Sequence, residues 1–458
     1  HVATSGADIQ LGGALAGVTL AIALIPEEFP MVLAVFLALG AWRLAIHQVL
    51  TRRAAVIETL GAASVLCVDK TGTLTENRMR VARLWTADGD VTVMADARPI
   101  GAGGALIDLA AMACAVRPVD PMDRAIRTLS AAETWDPASE PERAWPLRPE
   151  RMAVIQVWRG PGETRRAAAK GAPEAIFSLC RLPDAEIQRL QAAIQLYAEQ
   201  GLRVLGVASA WAEGPFGDDP SAVAFRFAGL IGFIDPLRAD VPAALAEARS
   251  AGVEVVMITG DHPATALAIA GAAGLDTSAG VLLGSELADL TLDALRERLR
   301  DVRVFARIAP AQKLRIVEAL KANGAIVAMT GDGVNDAPAL EAAHIGIAMG
   351  RRGADVAREA ADLVLLDDSF ASIVGGVRLG RRIFTNLRRA LTYITAIHIP
   401  LAGLALAPIL LGLPPLLFPM HVVLMELAID PICALVFEAE PSEREAMRRP
   451  PRRPDEPL

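Results

Sequence analysis

Three apolar runs in this sequence each lead to an aspartate, and this recurrence limits the fold more than any other feature. The first is Ser64-Val65-Leu66-Cys67-Val68-Asp69, followed by Lys70-Thr71-Gly72-Thr73-Leu74-Thr75. The second is Val253-Glu254-Val255-Val256-Met257-Ile258, followed by Thr259-Gly260-Asp261. The third is Ala325-Ile326-Val327-Ala328-Met329, followed by Thr330-Gly331-Asp332-Gly333-Val334-Asn335-Asp336. Short apolar runs that stop at Gly and Thr read as buried strands of a parallel sheet. The carboxyl ends of such strands share one edge, where ligands bind. Asp69, Asp261, Asp332 and Asp336 are therefore expected to converge. A single strand-end aspartate would merely cap the next helix; three with these endings point to chemistry. Clustered carboxylates repel one another and call for a cation, and hard oxygen donors beside a phosphate suit magnesium. Thr71, Thr259 and Gly260 offer hydroxyl and N–H donors to phosphate oxygens. Lys313, after Pro310-Ala311-Gln312 on a predicted helix, adds a positive charge, and Lys70 is expected to help neutralise the oxyanions around Asp69.

Composition locates the rest of the chain. The protein has 458 residues, too many for one compact domain, and is 53% hydrophobic. Its mean hydropathy is +0.37, and the apolar excess lies at the two ends. The net charge of -8 argues against a nucleic-acid partner. The four cysteines, Cys67, Cys114, Cys180 and Cys433, are far apart without metal-ligand spacing and suit a reducing compartment. Residues 11–39 are nearly uncharged and long enough for a bilayer of about 30 Å. They are interrupted by Pro26-Glu27-Glu28-Phe29-Pro30. Two prolines four apart break the helical ladder, and Glu27 and Glu28 inside the break are costly in lipid unless they face a pathway. Two further apolar runs, 391–411 and 416–437, are joined by Gly412-Leu413-Pro414-Pro415. Arginine clusters at 43–53, 381–389 and 444–453 all fall on one side of a three-span arrangement, which the positive-inside rule makes cytoplasmic. The expectation is an integral protein of the cell membrane with its large insert in the cytoplasm.

The texture of the insert changes twice. An α/β unit begins near residue 48, gives way at 77 to Pro/Gly clusters and short alternating stretches such as Val154-Ile155-Gln156-Val157-Trp158, and resumes at 230. This predicts a membrane segment over 1–47, an α/β domain split into 48–76 and 230–378 around an inserted domain at 77–229, a membrane hairpin over 379–440 and a tail at 441–458. The Pro/Arg-rich stretch 448–458 reads as disordered.

Asp69-Lys70-Thr71-Gly72-Thr73-Leu74-Thr75 resembles the phosphorylation motif of P-type cation-transporting ATPases. Lys170-Gly171-Ala172-Pro173-Glu174 resembles their nucleotide-domain motif, and Thr259-Gly260-Asp261 and Thr330-Gly331-Asp332-Gly333-Val334-Asn335-Asp336-Ala337-Pro338 resemble their hinge and magnesium motifs. Pro26-Glu27-Glu28-Phe29-Pro30 is similar to their broken ion-site helix. The match runs in order over nearly the whole chain. It implies a dehalogenase-like doubly wound parallel sheet with an inserted α+β nucleotide-binding domain, plus transmembrane α-helices, and an ATP-driven cation pump. Asp69 would take the γ-phosphoryl group of ATP. Asp69, Asp332 and the Thr71 carbonyl would hold magnesium. Thr259, Gly260, Lys313, Asn335 and Asp336 would surround the phosphate. Lys170, Gly171 and Arg203 match nucleotide-domain positions, and Arg238 and Arg307 match residues near the nucleotide phosphates and ribose.

The same resemblance frames the transported ion. Heavy-metal pumps carry a Cys-Pro in the broken helix; Glu27 stands there instead and points to hard cations or protons. Glu426 and Asp430, four apart, share one helix face, and His398 precedes Ile399-Pro400 in the preceding span. The calcium-pump branch has amides at two of these positions, so His398 and Glu426 weaken a calcium reading and also fit proton movement. No Thr-Gly-Glu-Ser loop, the family's dephosphorylation motif, occurs in the chain. With His1 at the start, this gives the expectation of a partial pump without its actuator domain and remaining membrane helices. Two other readings remain at the sequence level: a membrane-tethered dehalogenase-type phosphatase, and a catalytically incomplete nucleotide-binding module. Against the first, dehalogenase-type phosphatases usually carry a second acid two residues after the nucleophile, and Thr71 stands there.

Overall fold

The computed structural model describes residues 6–452 apart from 26–28, 95–96, 132–140, 149–150, 160–163, 215, 218, 221–222, 442 and 444; the side chains of 6–12 and 428–430 are likewise not described. Glu27 and Glu28, and the side chain of Asp430, therefore lie outside the described residues.

Two sheets organise the chain. β1 (Val49–Thr51) and β2 (Val65–Asp69) come first. Seven strands follow in a separate sheet: β3 (Arg80–Thr86), β4 (Gly89–Thr92), β5 (Arg143–Trp145), β6 (Ala153–Arg159), β7 (Thr164–Gly171), β8 (Arg203–Glu213) and β9 (Arg226–Ile234). The first sheet then resumes with β10 (Glu254–Ile258), β11 (Val281–Leu283), β12 (Val304–Ala306), β13 (Val327–Gly331), β14 (Ile345–Met349) and β15 (Leu363–Leu365). Its order is β1-β15-β14-β13-β2-β10-β12-β11. All neighbours run parallel except β1, which lies antiparallel on β15. The inserted sheet, ordered β4-β3-β9-β8-β7-β6-β5, is antiparallel throughout.

The chemistry of the strands explains these choices. β2, β13 and β14 are covered by side chains on both faces and read as unbroken apolar runs, as parallel strands must. Helices cover one face around Leu66, Val68, Met257 and Ile347 and the other around Cys67, Val256, Phe305 and Met329. β2 sits at the centre, flanked by β10 and β13. Ile258 pairs with Asp69, so Thr259 begins where β2 ends.

Among the described residues, three stretches are long and apolar enough to cross a membrane: Gly13–Ile46, Phe370–Leu411 and Pro419–Ala439. The 42-residue helix Phe370–Leu411 runs unbroken from the parallel sheet into its apolar half, through Pro400 and Pro408. Its first half is buried through Phe370, Ile373, Val374 and Val377. The short helix Val56–Gly61 crosses it so closely that a Cβ on Gly61 would lie 2.6 Å from the Gly380 carbonyl carbon. Beyond this crossing, Leu404, Leu410, Leu424, Leu427, Ile432 and Leu435 are exposed, as lipid-facing residues should be.

One expectation is corrected. The stretch 448–452 is packed rather than disordered. Arg381 Nη1 donates to the carbonyls of Ala446 and Arg449 at 2.8 Å each. Arg452 pairs with Glu58 at 2.6 Å and lies 4.0 Å over the Phe384 ring. Charge composition alone reads as solvated, but Arg452 finds a carboxylate and an aromatic face, and Arg381 of the long helix holds the segment's own carbonyls.

Candidate active site

The site is built at the carboxyl edge of β2. Asp69 is the last residue of the strand, and its backbone N–H donates to Thr330 Oγ1 of β13 at 3.0 Å. The chain turns at once. Thr71 N donates to Asp69 Oδ1 at 3.3 Å, and Gly72 takes φ +72°, a conformation that glycine adopts without strain. Thr75 Oγ1 closes the loop by accepting from Gly72 N at 3.0 Å and donating to Asp235 Oδ2 at 2.6 Å.

Lys313 enters from the helix Pro310–Ala322. Its ammonium lies 2.9 Å from Asp69 Oδ2 and 2.8 Å from Asp336 Oδ1 and is buried. Burial pulls such an ammonium towards neutrality, but the Asp69 and Asp336 carboxylates outweigh it and raise the Lys313 pKa. Asp336 is fixed in turn: its Oδ2 accepts from the backbone N–H groups of Asp332 and Gly333 at 3.2 and 3.1 Å. Asp69, Asp332 and Asp336 each bring one oxygen within 4.8 Å of the others. Burial, then the nearby Asp69 charge, raises the Asp332 pKa, and Arg352 only partly opposes them. The cluster is thus short of positive charge. Three hard oxygens around one point fit a divalent cation such as magnesium.

Beside this cluster opens a cleft of about 820 Å³. The parallel-sheet domain lines it with Lys70, Thr71, Gly260, Asp261 and Arg307, and the inserted domain with Pro173, Glu174 and Arg203. Thr259 is buried behind it, and its hydroxyl accepts from Asp261 N at 3.2 Å. Asn335 is exposed in the turn before Asp336.

Several side chains take partners that the sequence reading did not anticipate. Lys70 does not turn to Asp69. Its buried ammonium bonds Asp261 Oδ2 at 2.7 Å, with Asp235 at 4.0 Å. Arg238 clasps the loop itself, donating from Nε to Thr75 O at 3.1 Å and from Nη2 to Gly72 O at 3.0 Å. Lys170 is buried in an ion pair with Asp123 on the neighbouring helix Pro121–Leu129. Neither Lys170 nor Gly171 lines the cleft, and a Cβ on Gly171 would strike the Met152 carbonyl. In the membrane helices, His398 is buried and its Nδ1 donates to Ile394 O at 2.8 Å along the same helix, and Glu426 is buried on the last one.

Two residues near the site went unread in the sequence. Asp235 holds the loop through Thr75 and Arg78 N. Arg352 donates from Nη1 to Asp332 Oδ2 at 3.4 Å and to Thr71 O at 3.3 Å. Asp235 could have been noticed from its place beside Pro236-Leu237-Arg238; nothing in the local pattern around Arg352 announces its contact.

Comparisons with known proteins agree with this geometry. Residues 63–344 match the haloacid dehalogenase-like hydrolase family, and residues 414–458 match the C-terminal region of cation-transporting ATPases. The chain is 38% identical to the probable cation-transporting ATPase F of Mycobacterium tuberculosis, over 97% of this chain and 54% of that protein. It is 34% identical to a calcium-transporting ATPase of Bacillus subtilis, over 96% and 55%, and 37% identical to the sodium/potassium-transporting ATPase subunit alpha-B of Artemia franciscana, over 94% and 51%. Among solved structures, a zinc-transporting PIB-type ATPase in its E2.Pi state superposes with a TM-score of 0.62 at 28% identity, covering 92% of this chain and 56% of that one. The chain spans about half the length of the curated relatives it matches. With its three apolar spans it is an integral membrane protein. It belongs to the haloacid dehalogenase-like hydrolases.

Proposed function

We propose that this chain is the catalytic and membrane core of an ATP-driven cation pump that works through an aspartyl phosphate on Asp69. The observation that carries the reading is Lys313 bridging Asp69 and Asp336 beside Asp332, at the sheet edge where a nucleotide-sized cleft opens. One Asp69 oxygen attacks the γ-phosphorus of ATP. A P–O bond to Asp69 forms as the bond to the β,γ-bridging oxygen breaks, and ADP leaves with that electron pair. Lys313 holds the carboxylate in place and balances charge as oxyanions crowd the site. Asp69, Asp332 and the Thr71 carbonyl would hold magnesium, which would neutralise phosphate oxygens. Thr259 and Gly260 contribute donors from β10, and Asp336 positions Lys313.

In this reading 48–76 and 230–378 form the phosphorylation domain and 77–229 the nucleotide-binding domain. Arg203 and Arg307, facing each other across the cleft, contact the nucleotide. Lys70 and Arg238 shape the loop around Asp69, and Lys170 with Asp123 orders the inserted domain behind the cleft. Thr71 replaces the second acid of fast phosphatases, so the acyl phosphate persists long enough to drive a conformational step. The arginine clusters put both domains on the cytoplasmic side. Glu27, Glu28, His398, Glu426 and Asp430 supply the ion path, and a hard cation is the cargo.

The test is acid-stable labelling by γ-32P-labelled ATP in the presence of magnesium. The wild-type chain takes up label, and the uptake is lost in Asp69→Asn. Label retained in that variant would refute the assignment of Asp69.

A further inference from the structure

We infer that Arg352 is a tethered counter-ion that competes with magnesium for Thr71 and Asp332 and sets how much magnesium is needed to fill the site. The inference rests on the reading of Asp69, Asp332 and the Thr71 carbonyl as the magnesium ligands. Arg352 Nη1 lies on two of those three groups, 3.3 Å from Thr71 O and 3.4 Å from Asp332 Oδ2. Its Nε is held 3.1 Å from Asp368 Oδ2. Asp368 is buried and itself fixed by Arg351 N at 3.1 Å.

The loop that carries Arg352 has little freedom to place it elsewhere. A Cβ on Gly350 would lie 2.5 Å from Leu365 O, and one on Gly353 would lie 2.0 Å from Met349 O. Just beyond, Ala354 N donates to Asp332 O at 2.7 Å, locking the loop to the backbone of the same aspartate. On the other side the guanidinium lies flat against Gly72, where a Cβ would come within 1.7 Å of Nη1. The glycine of the phosphorylation loop therefore makes room for Arg352 as well as for the turn.

A magnesium ion binds oxygen at about 2.0–2.1 Å and demands near-octahedral access. It cannot take Thr71 O and Asp332 while a guanidinium covers both, and the two cations repel at that range. Loading therefore requires Arg352 to leave Thr71 and Asp332, with Asp368 still holding its Nε. The same arginine offsets part of the repulsion among the Asp69, Asp332 and Asp336 carboxylates. One residue thus balances the carboxylate charge and competes with the ion for the same two oxygens.

The test titrates magnesium chloride alone, with no nucleotide, into the detergent-solubilised chain and follows thermal unfolding, since an ion that binds only the folded state raises the midpoint with concentration. Arg352→Gln is expected to unfold at a lower temperature in EDTA and to reach half of its magnesium effect at about tenfold lower concentration, the equivalent of one charge-assisted hydrogen bond. Arg352→Lys keeps the charge but cannot hold Asp368 and the two ligands with one ammonium, so its half-effect lies between those of the wild type and Arg352→Gln. An unchanged or raised half-effect concentration in either variant overturns the inference, and Arg352→Lys alone decides if Arg352→Gln fails to fold. Asp332→Asn separates the underlying reading. If the wild type and Asp332→Asn respond to magnesium identically, the ligand assignment falls and this inference falls with it. If only Asp332→Asn loses the response, the assignment stands and the Arg352 variants judge the inference alone.

Discussion

Replacing Lys313 by methionine isolates what the buried ammonium does. Methionine keeps most of the aliphatic volume, so the change is mainly one of charge. Lys313 is 7% exposed and bonds two carboxylates at 2.9 and 2.8 Å. Removing one partner of a buried ion pair costs about 3–5 kcal/mol, because the other charge is left without compensation. The Asp336 side chain keeps only 7% of its surface in water, but Asp69 keeps 20%. Solvent screens part of the loss at Asp69, which places the expected cost near the lower bound, about 3 kcal/mol. For a domain of this size that lowers the unfolding midpoint by roughly 6–12 °C. The pH dependence has a definite sign. The Lys313 pKa is raised on folding by Asp69 and Asp336 against the pull of burial, so its contribution is complete below the unfolded lysine pKa of about 10.4 and is lost only as pH rises through the folded value. At neutral pH the wild type has all of it. Without Lys313, Asp332, already raised by burial and by Asp69, takes up a proton more readily as pH falls. The deficit of Lys313→Met should therefore shrink between about pH 8 and pH 5. The assay is thermal unfolding in detergent with EDTA at both pH values, repeated with magnesium, which should also narrow the gap. A variant as stable as wild type in EDTA at pH 8, or a deficit that grows on acidification, would refute the argument.

Two further predictions follow from close packing. Asp123→Ala strands the buried Lys170 ammonium, and a loss of about 3–5 kcal/mol is expected in the inserted domain, read as a lower unfolding midpoint, with Asp123→Glu recovering most of it. Gly380→Val puts a side chain where the Val56–Gly61 helix leaves 2.6 Å, so the helices must part; a loss of about 1–3 kcal/mol is expected, with faster proteolysis of the 47–61 segment than in wild type, and equal digestion rates would count against the contact.

What was legible in the sequence was what local pattern dictates. Apolar runs ending in Asp69, Thr259-Gly260-Asp261 and Asp332 can only be neighbouring parallel strands, and their edge had to carry the carboxylates. Lys313 was legible as a positive charge on the helix that follows Pro310, though not its two carboxylate partners. Partner choice was not legible, since it depends on residues far away in the chain. Lys70 follows Asp69 directly, yet its side chain leaves the opposite way, to Asp261 and Asp235. Lys170 stands in a stretch that resembles a nucleotide-domain motif, and nothing local announces that the helix Pro121–Leu129 brings Asp123 against it. Arg352 lies in an ordinary Gly-Arg-Arg-Gly loop, and only the β14–β15 connection carries it to Asp332. Strand β1 is three residues long, and its pairing with β15 comes from a segment more than 300 residues away, so no local periodicity signals it.

That short strand bears on how the parallel sheet is joined to the membrane helices. β1 follows the apolar helix Phe29–Ile46 and is hydrogen-bonded into the parallel sheet at Val49, Leu50 and Thr51. β15 leads within a few residues into the helix Phe370–Leu411. One edge of the sheet is therefore attached to two membrane helices, and the short helix Val56–Gly61 packs against the second of them at Gly380. A 42-residue helix is about 63 Å long at 1.5 Å per residue, and it is continuous across both of its prolines. A rotation of the sheet of only about 5° would displace the far end of such a rod by roughly 5 Å, one helical turn. Between β15 and Pro408 the helix is continuous from Phe370 onward, with Pro400 removing one hydrogen bond from its ladder. The sheet that carries Asp69 is thus joined through β15 to the helix that carries the buried His398, and Arg381, Arg382 and Arg389 clamp the segment after the last helix onto it.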